Sequence, residues 1–210
     1  MPLPAQPANP APRLILASSS VYRYELLSRL CLPFDVVVPD IDEQPLPGET
    51  PQETALRLAR EKAATVARAH AGTLIIGSDQ VATIDGEQIG KPGSHASALA
   101  QLRKMQGRTV LFHTALCLWD ARTTAPEAIQ LDTVSTAVTF RDLPEAALDA
   151  YLHIEQPYDC AGSAKNECLG IALIARIESS DPTALTGLPL ISLCSMLMRA
   201  GVAFFATDRA

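Results

Sequence analysis

The sequence contains no apolar run long enough to cross a membrane, and its opening residues lack the basic start and apolar core of a signal peptide. It also lacks an excess of basic residues, because 17 Lys and Arg stand against 23 Asp and Glu, for a net charge of −6. That balance argues against a general nucleic-acid-binding protein. We therefore expect a cytoplasmic protein without a nucleic-acid or membrane partner, in which a local cluster of bases must hold any anionic ligand.

Cysteine is present, but not at the spacing of metal or redox motifs. The five cysteines form an odd set without a CxxC pair: Cys31, Cys117, Cys160, Cys168 and Cys194. We expect reduced thiols, with no disulfide framework and no zinc site. No GxSxG elbow supports a serine nucleophile at Ser18–Ser20. The four histidines, which such a nucleophile would need as a base, are interpreted as surface or satisfied core residues: His70, His95, His113 and His153.

The composition favours one globular domain with a sizeable core. Hydrophobic residues make up 48% and charged residues 19% of 210 residues. We expect residues 1–12 to form a disordered lead rich in Pro and Ala, residues 13–204 to form the domain, and residues 205–210 to form a tail.

The stretch from residue 72 to 92, GTLIIGSDQVATIDGEQIGKP, organises the rest of the chain. Its short β-branched run predicts a buried strand that stops at Gly77-Ser78 and delivers Asp79 just beyond its end. An alternating pattern then continues over residues 81–84 to the next turn. The pair Asp85-Gly86 indicates a type I′ hairpin, which could bring Lys91 back toward Asp79. A cation beside a fixed carboxylate suits a metal-chelated phosphate chain. An ordinary hairpin with surface charges is the alternative.

The segment from Arg13 predicts a strand, a serine-rich turn and a helix capped by Ser20. Arg23 lies on the same face as the apolar stripe of this helix. An arginine in the first turn, beside serines, is suited to bind an anion. The alternative is that the serines only cap the helix and that Arg23 extends to solvent.

An acidic loop with Asp40, Asp42 and Glu43 follows a second predicted strand at residues 34–38. Acidic loop residues are usually only solvated, but one of these could be a metal ligand, because hard divalent cations prefer oxygen. Thr50 begins a helix predicted to reach residue 69. Lys62 interrupts the apolar stripe of this helix, and an inward lysine needs a partner. Either a bound phosphate or an internal ion pair would satisfy it.

The remaining chain alternates helices and strands. The pattern predicts helices at residues 94–105, 142–153 and 189–200, strands at residues 109–119, 129–140 and 171–175, and a polar loop in between that carries Asp159, Lys165 and Glu167. We predict an α/β fold in which helices flank a mixed central sheet, with two lobes and a cleft between them.

Taken together, these loops resemble the Maf-type nucleoside triphosphate pyrophosphatases from about residue 14 to 202. The matching segments, in order, are LASSSVYRYELL, LAREKA, GSDQV with GKP, YDCAGSAKNECLG and TGLPL. Each motif alone is weak, but five in the right order are specific. Val21 and Tyr22 depart from the residues usual at those positions.

The resemblance implies cleavage between the α- and β-phosphates of a nucleotide, with Mg²⁺ or Mn²⁺ as cofactor. It assigns residues to two roles. Those expected to bind the substrate are Ser18, Ser20, Arg23, Lys62, Lys91, Lys165 and Glu167, and those expected to bind metal are Glu43, Asp79 and Glu167. Asp79 is the candidate catalytic residue that orients or deprotonates the attacking water.

Two positions bear on the substrate. Gln80 and Glu167 resemble the subgroup that acts on 7-methyl-GTP, whereas another subgroup, which prefers dTTP and UTP, has Thr and Gln there. A nucleotide-binding regulator of cell division is a further alternative implied by the family. The presence of Glu43, Asp79 and Glu167 favours the enzyme, and a homodimer is a family-level expectation.

Overall fold

Within residues 12–125 and 128–205, which the computed structural model describes, seven strands form one mixed sheet. The strands are β1 (Leu14–Ala17), β2 (Phe34–Val36), β3 (Leu74–Ile84), β4 (Glu87–Ile89), β5 (Thr109–Asp120), β6 (Ile129–Phe140) and β7 (Ile174–Glu178). Their order is β2-β1-β3-β5-β6-β7, and β4 also pairs with β3. The predicted fold class, a mixed sheet flanked by helices, is confirmed.

Five helices flank the sheet in the same part of the chain: α1 (Val21–Ser28), α2 (Pro51–Ala67), α3 (His95–Met105), α4 (Glu145–Glu155) and α5 (Leu190–Arg199). The predicted capping box of α2 is present, because the Thr50 side chain accepts from the N–H of Glu53 and the Glu53 side chain accepts from the N–H of Thr50. None of these helices is long and apolar enough to cross a membrane. Most of the predicted lead and tail lies outside the described residues.

Strand β3 corrects one prediction from the sequence. It does not stop at Gly77 but continues to Ile84, so Asp79 lies within the strand and not beyond its end. The reason is that β5 pairs with β3 all the way from Leu74 to Thr83. The last strand is also displaced: β7 begins at Ile174, after a 3₁₀ turn, and not at residue 171.

The hairpin between β3 and β4 forms as the sequence predicts. Asp85 and Gly86 both have positive φ angles, 53° and 80°, as a type I′ turn requires. Ala82 lies opposite Ile89, so the chain after β4 returns along β3 toward Asp79.

One edge of β3 is left open in its middle. Because β5 occupies the other edge, β1 and β4 must share this one. β1 pairs with it only as far as Gly77, and β4 pairs with it only from Ala82 onward. No described strand pairs with residues 78–81 on this edge. The gap separates two parts of the molecule, each with its own cluster of buried apolar side chains.

Helix α2 packs directly on β3 at Gly77. A Cβ atom at this position would lie 2.2 Å from the Ala59 carbonyl oxygen and 2.9 Å from the Ala63 nitrogen. The missing side chain therefore allows the helix backbone to approach the strand. Asp79 lies on the same face of β3 as Gly77, because side chains alternate along a strand.

We predict that Gly77→Ala destabilises the protein by about 1–3 kcal/mol, because the added methyl group meets helix backbone that cannot move aside cheaply. Urea unfolding would measure the change. Gly90→Ala is the matched control, since nothing lies within 4 Å of a Cβ there. An unchanged midpoint for Gly77→Ala would show that α2 packs less closely.

Candidate active site

A cleft of about 830 Å³ opens where the edge of β3 is unpaired. Both parts of the molecule contribute to its walls. Among the predicted site residues, those that line it are Ser18, Ser20, Arg23, Glu43, Lys62, Asp79, Lys91 and Glu167. Lys165 lies beside the cleft, with its Nζ 3.6 Å from an oxygen of Asp159, which does line it. The structure thus brings to one cavity residues that are widely separated in the sequence.

Lys62 lies at the centre of this cleft, between two carboxylates. Its Nζ is 2.6 Å from Asp79 Oδ1 and 2.7 Å from Glu43 Oε1. The side chains of Lys62 and Asp79 are only 8% and 10% exposed, whereas that of Glu43 is 57% exposed. Of the two partners expected for an inward lysine, the structure shows the internal ion pair.

One carboxylate oxygen of Asp79 accepts a hydrogen bond within the described chain, and the other does not. Lys62 donates to Oδ1, and Oδ2 accepts no hydrogen bond from the described residues. No buried side-chain oxygen or nitrogen within those residues lacks a partner, so Oδ2 must reach the solvent of the cleft. The carboxylate is therefore fixed by one atom and available through the other.

The electrostatic surroundings of Glu43 favour its ionised form. Burial raises the pKa of this carboxyl, but the hydrogen bond from Lys62 and the charges of Lys62, Lys91 and Arg23 lower it, and the net pKa is below the ordinary value. Lys91 forms no ion pair with a carboxylate of the described residues. It acts here as an unpaired cation on the cleft wall.

A network that the sequence does not reveal holds the Glu43 loop against α2. Arg57 donates to the carbonyl oxygen of Gln44 at 2.9 Å and to both oxygens of Glu49 at 2.7 and 3.0 Å. The hydrogen bonds that Glu49 accepts, first from Arg57 and then from the N–H of Leu46, lower its pKa to about 2. Because Gln44 follows Glu43 directly, Arg57 positions the candidate ligand without touching it.

Arg23 lies inward, so the alternative in which it extends to solvent is wrong. Its Nε donates to the carbonyl oxygen of Gly187 at 2.9 Å, and one terminal nitrogen lies 3.4 Å from Ser18 Oγ. Burial lowers the pKa of the guanidinium, while the charges of Asp79 and Glu43 oppose that change. A half-buried cation with N–H donors still free is suited to bind an anion in the cleft.

The two predicted serines both order the turn before α1. Ser20 caps the helix by accepting from the N–H of Arg23, and Ser18 accepts from the N–H of Ser20. Capping does not exclude anion binding, because the first N–H groups of a helix have no acceptor within it. Both serines line the cleft.

Glu167 belongs to a second group of charges, with Tyr22, Asp159 and Lys165. Burial raises the pKa of Glu167, and among the neighbouring charges Lys165 lowers it while Glu155 and Glu25 raise it. Glu43, Asp79 and Glu167 do not form a group whose ligand atoms lie within 4.8 Å of one another in the described chain. The three expected metal ligands therefore line one cleft without converging on a single point.

Glu43 and Asp79 have the oxygen donors that a hard divalent cation prefers. Their oxygens converge on a single Lys62 nitrogen, and each carboxylate retains a second oxygen. Two carboxylates combined with substrate phosphates are a donor set that Mg²⁺ uses.

Gln80 and Ser78 fasten the opposite wall of the cleft to β3. Gln80 Nε2 lies 3.0 Å from the carbonyl oxygens of Ala184 and Leu185, and Ser78 Oγ lies 2.9 Å from that of Gly187. Asp181 shapes the same segment from within by accepting from the N–H groups of Thr183 and Ile191. The TGLPL motif at residues 186–190 marked this wall in the sequence, but it gave no indication that Ser78 and Gln80 bind it.

A family model described as Maf-like protein matches residues 13–200. The chain belongs to the Maf family. It is 65% identical to a Ralstonia nicotianae protein named 7-methyl-GTP pyrophosphatase, over 93% of this chain and 99% of the relative. A protein of the same name from Cupriavidus pinatubonensis is 62% identical, over 95% of this chain and 98% of the relative.

Among solved structures, the Staphylococcus aureus Ham1 protein resembles this chain with a TM-score of 0.50 and 13% identity. The likeness covers 90% of this chain and 99% of that protein. At that identity it supports the fold alone. The Maf family is thus established from the sequence match, and the α/β architecture agrees with the structural one.

We predict that Lys62→Met destabilises this Maf protein by about 1–3 kcal/mol at neutral pH, since it leaves the buried Asp79 charge unpaired. The loss stays below the roughly 3–5 kcal/mol of a fully buried pair because Glu43 is half-exposed. Folding lowers the pKa of Glu43 below its ordinary value of 4.5. The contribution of Glu43 to the free energy of unfolding is therefore fully present above pH 4.5, and it is lost as the pH falls through the lower pKa of the folded protein.

The difference between wild type and Lys62→Met should therefore narrow in acid, as measured by urea unfolding across pH. Lys104→Met is the matched control. Lys104 pairs with Glu87 at the surface, and losing such a pair costs at most about 1 kcal/mol. Equal stability of Lys62→Met and wild type at neutral pH would contradict the ion-pair assignment.

Proposed function

We propose that this chain hydrolyses a nucleoside triphosphate between its α- and β-phosphates, giving the nucleoside monophosphate and diphosphate, and that 7-methyl-GTP is its preferred substrate. The observation that carries the proposal is the Asp79 carboxylate, which binds Lys62 through one oxygen and keeps the other accessible in a cleft lined by cations. The chain is also 65% identical to a protein named 7-methyl-GTP pyrophosphatase. In this role the enzyme removes modified nucleotides from the cytoplasmic pool.

The cations of the cleft supply the charge that a triphosphate needs. Arg23 and Lys91 line it, and Lys165 lies at its side. An ammonium group has three donors, and Lys62 uses two for Asp79 and Glu43, which leaves the third for a phosphate oxygen. Ser18, Ser20 and the free N–H groups of α1 add neutral donors.

Glu43 would hold a divalent cation, Mg²⁺ or Mn²⁺, directly, and Asp79 would hold it through a bound water, so that Asp79 Oδ2 stays available to the attacking water. When bound, this ion would neutralise phosphate charge and stabilise the departing diphosphate. Glu167, which belongs to the other group of charges, is assigned to the substrate rather than to the metal in this proposal.

Asp79 is proposed to orient the attacking water and accept its proton. Lys62 donates to Oδ1 and fixes the carboxylate in place, while Oδ2 faces the solvent of the cleft. The water oxygen forms a bond to the α-phosphorus as the bond to the bridging oxygen breaks. A base on a strand paired along its length stays in place during this step.

The first experiment is to measure diphosphate release with Mg²⁺ from 7-methyl-GTP, GTP, dTTP, UTP and CTP. We expect the highest kcat/KM for 7-methyl-GTP. Asp79→Asn should bind nucleotide but lose about 10²-fold or more in kcat, because it cannot accept the proton. Asp142→Asn, at an exposed position, is the matched control.

The outcomes separate the alternatives. Full turnover by Asp79→Asn would remove this residue from the catalytic role. Preference for dTTP or UTP would keep the reaction and overturn the substrate assignment. Nucleotide binding by the wild type without any release would favour the regulator.

Glu167 is proposed to select the methylated base, because methylation makes the guanine ring cationic. Glu167 lines the cleft and is exposed there, so its carboxylate is placed to contact a cationic base. We predict that Glu167→Gln lowers the kcat/KM ratio of 7-methyl-GTP to GTP by about 5- to 10-fold, equivalent to about 1 kcal/mol. An unchanged ratio would argue against recognition by charge.

A further inference from the structure

A second cluster of ligand-type side chains lies outside the cleft, where α3 meets α4. It consists of His95 at the start of α3 and of Asp149 and His153, one turn apart on α4. In the described parts of the chain, this is the group of three whose ligand atoms all lie within 4.8 Å of one another. The proposed nucleotide chemistry uses none of these residues.

The distances are close to those of a transition-metal site. His95 Nε2 lies 2.8 Å from Asp149 Oδ1, and His153 Nδ1 lies 3.4 Å from Asp149 Oδ2. Tetrahedral zinc with bonds of about 2.0–2.1 Å places its ligand atoms about 3.3 Å apart. Binding requires His153 Nδ1 to exchange its hydrogen bond to the Asp149 carbonyl oxygen, 2.9 Å long, for the metal.

Tyr158 provides the outer-shell support that metal-binding histidines use. Its hydroxyl is 3.2 Å from His95 Nδ1 and 3.3 Å from the carbonyl oxygen of Leu152. With a metal on Nε2, the Nδ1–H group donates to the Tyr158 oxygen, and the hydroxyl donates to Leu152. Every donor then has an acceptor, and His95 is held in the tautomer that leaves Nε2 free for the ion.

The helices that carry the cluster are fixed independently of it. Ala98 and Leu102 of α3 share a buried apolar cluster with Leu148 and Leu152 of α4. Arg103 and Glu145 form an ion pair across the same helices. The ligand positions are therefore rigid, while the side chains of His95, Asp149 and His153 remain 33%, 46% and 68% exposed for metal entry.

We propose that His95, Asp149 and His153 bind Zn²⁺, with water completing the coordination. Two imidazoles and one carboxylate suit zinc, whereas Mg²⁺ prefers oxygen donors alone. This ion is therefore chemically distinct from the one that Glu43 and Asp79 would hold.

A metal here would brace one wall of the cleft. Tyr158 accepts a hydrogen bond from the N–H of Gly93 at 3.0 Å through its carbonyl oxygen. Lys91, before Gly93, and Asp159, after Tyr158, both line the cleft. Zinc would thus fasten α3, α4 and these two cleft segments at one point.

The test is to measure Zn²⁺ binding to the full chain, by calorimetry and by competition with a coloured chelator. We expect binding of about one ion per chain at this site. His95→Gln and His153→Gln should each weaken it by about tenfold or more, since losing a ligand costs at least as much as losing an outer-shell partner. Tyr158→Phe should weaken it by roughly tenfold.

His70→Gln is the matched control, because it removes an imidazole outside the cluster and should leave binding unchanged. Zn²⁺ should raise the thermal unfolding temperature of wild type and of His70→Gln but not of His153→Gln. Co²⁺ should give a visible spectrum without thiolate charge transfer, which excludes the free cysteines as ligands. Diphosphate release with Mg²⁺ should be unchanged in His153→Gln, which separates this proposal from the catalytic one.

Two results would overturn the proposal. One is equal Zn²⁺ affinity of wild type and of the folded double variant His95→Gln, His153→Gln. The other is loss of Zn²⁺ binding in Asp79→Asn with no loss in either histidine variant, which would place the ion in the cleft. Circular dichroism of each variant verifies that it is folded.

Discussion

The ion pairs of the buried Lys62 ammonium with Asp79 and Glu43 are the interactions on which the cleft depends. An unpaired charge at this depth is costly, so Lys62 needs both carboxylates, and Asp79 needs Lys62. The contact exists only because Gly77 lets α2 approach β3 closely enough for the lysine to reach along the strand. One glycine, one helix and one ion pair therefore set the position of the central carboxylate.

The sheet topology then gives this carboxylate access to a ligand. A strand paired on both edges along its whole length would carry Asp79 into a closed layer. Here β1 and β4 share one edge of β3 and leave residues 78–81 unpaired between them. The same gap lies between two hydrophobic clusters, so strand pairing decides where the cleft opens, and loops complete its walls.

The charges of the cleft fall into two groups. Glu43, Lys62 and Asp79 form one group near Arg23, while Lys165, Asp159 and Glu167 form another near Tyr22. Tyr22 and Arg23 are consecutive in the first turn of α1, so this short helix contacts both groups. A protein with a net charge of −6 can thus present cations to a polyanion, because they are gathered on one surface.

The sequence by itself determined the local elements and the order of the motifs. Capping residues, the Asp85-Gly86 turn and apolar periodicity depend on neighbours in the chain, so they predicted α2, the β3–β4 hairpin and the α/β class. Only the tertiary structure decided that β3 runs through Asp79, that Lys62 is paired with Glu43 and Asp79, and that Glu167 stands apart from both. It also decided that His95, read from the sequence as a surface or core residue, meets Asp149, 54 positions away. Such contacts join residues distant in the chain, and their cost or gain depends on burial, which no local pattern specifies.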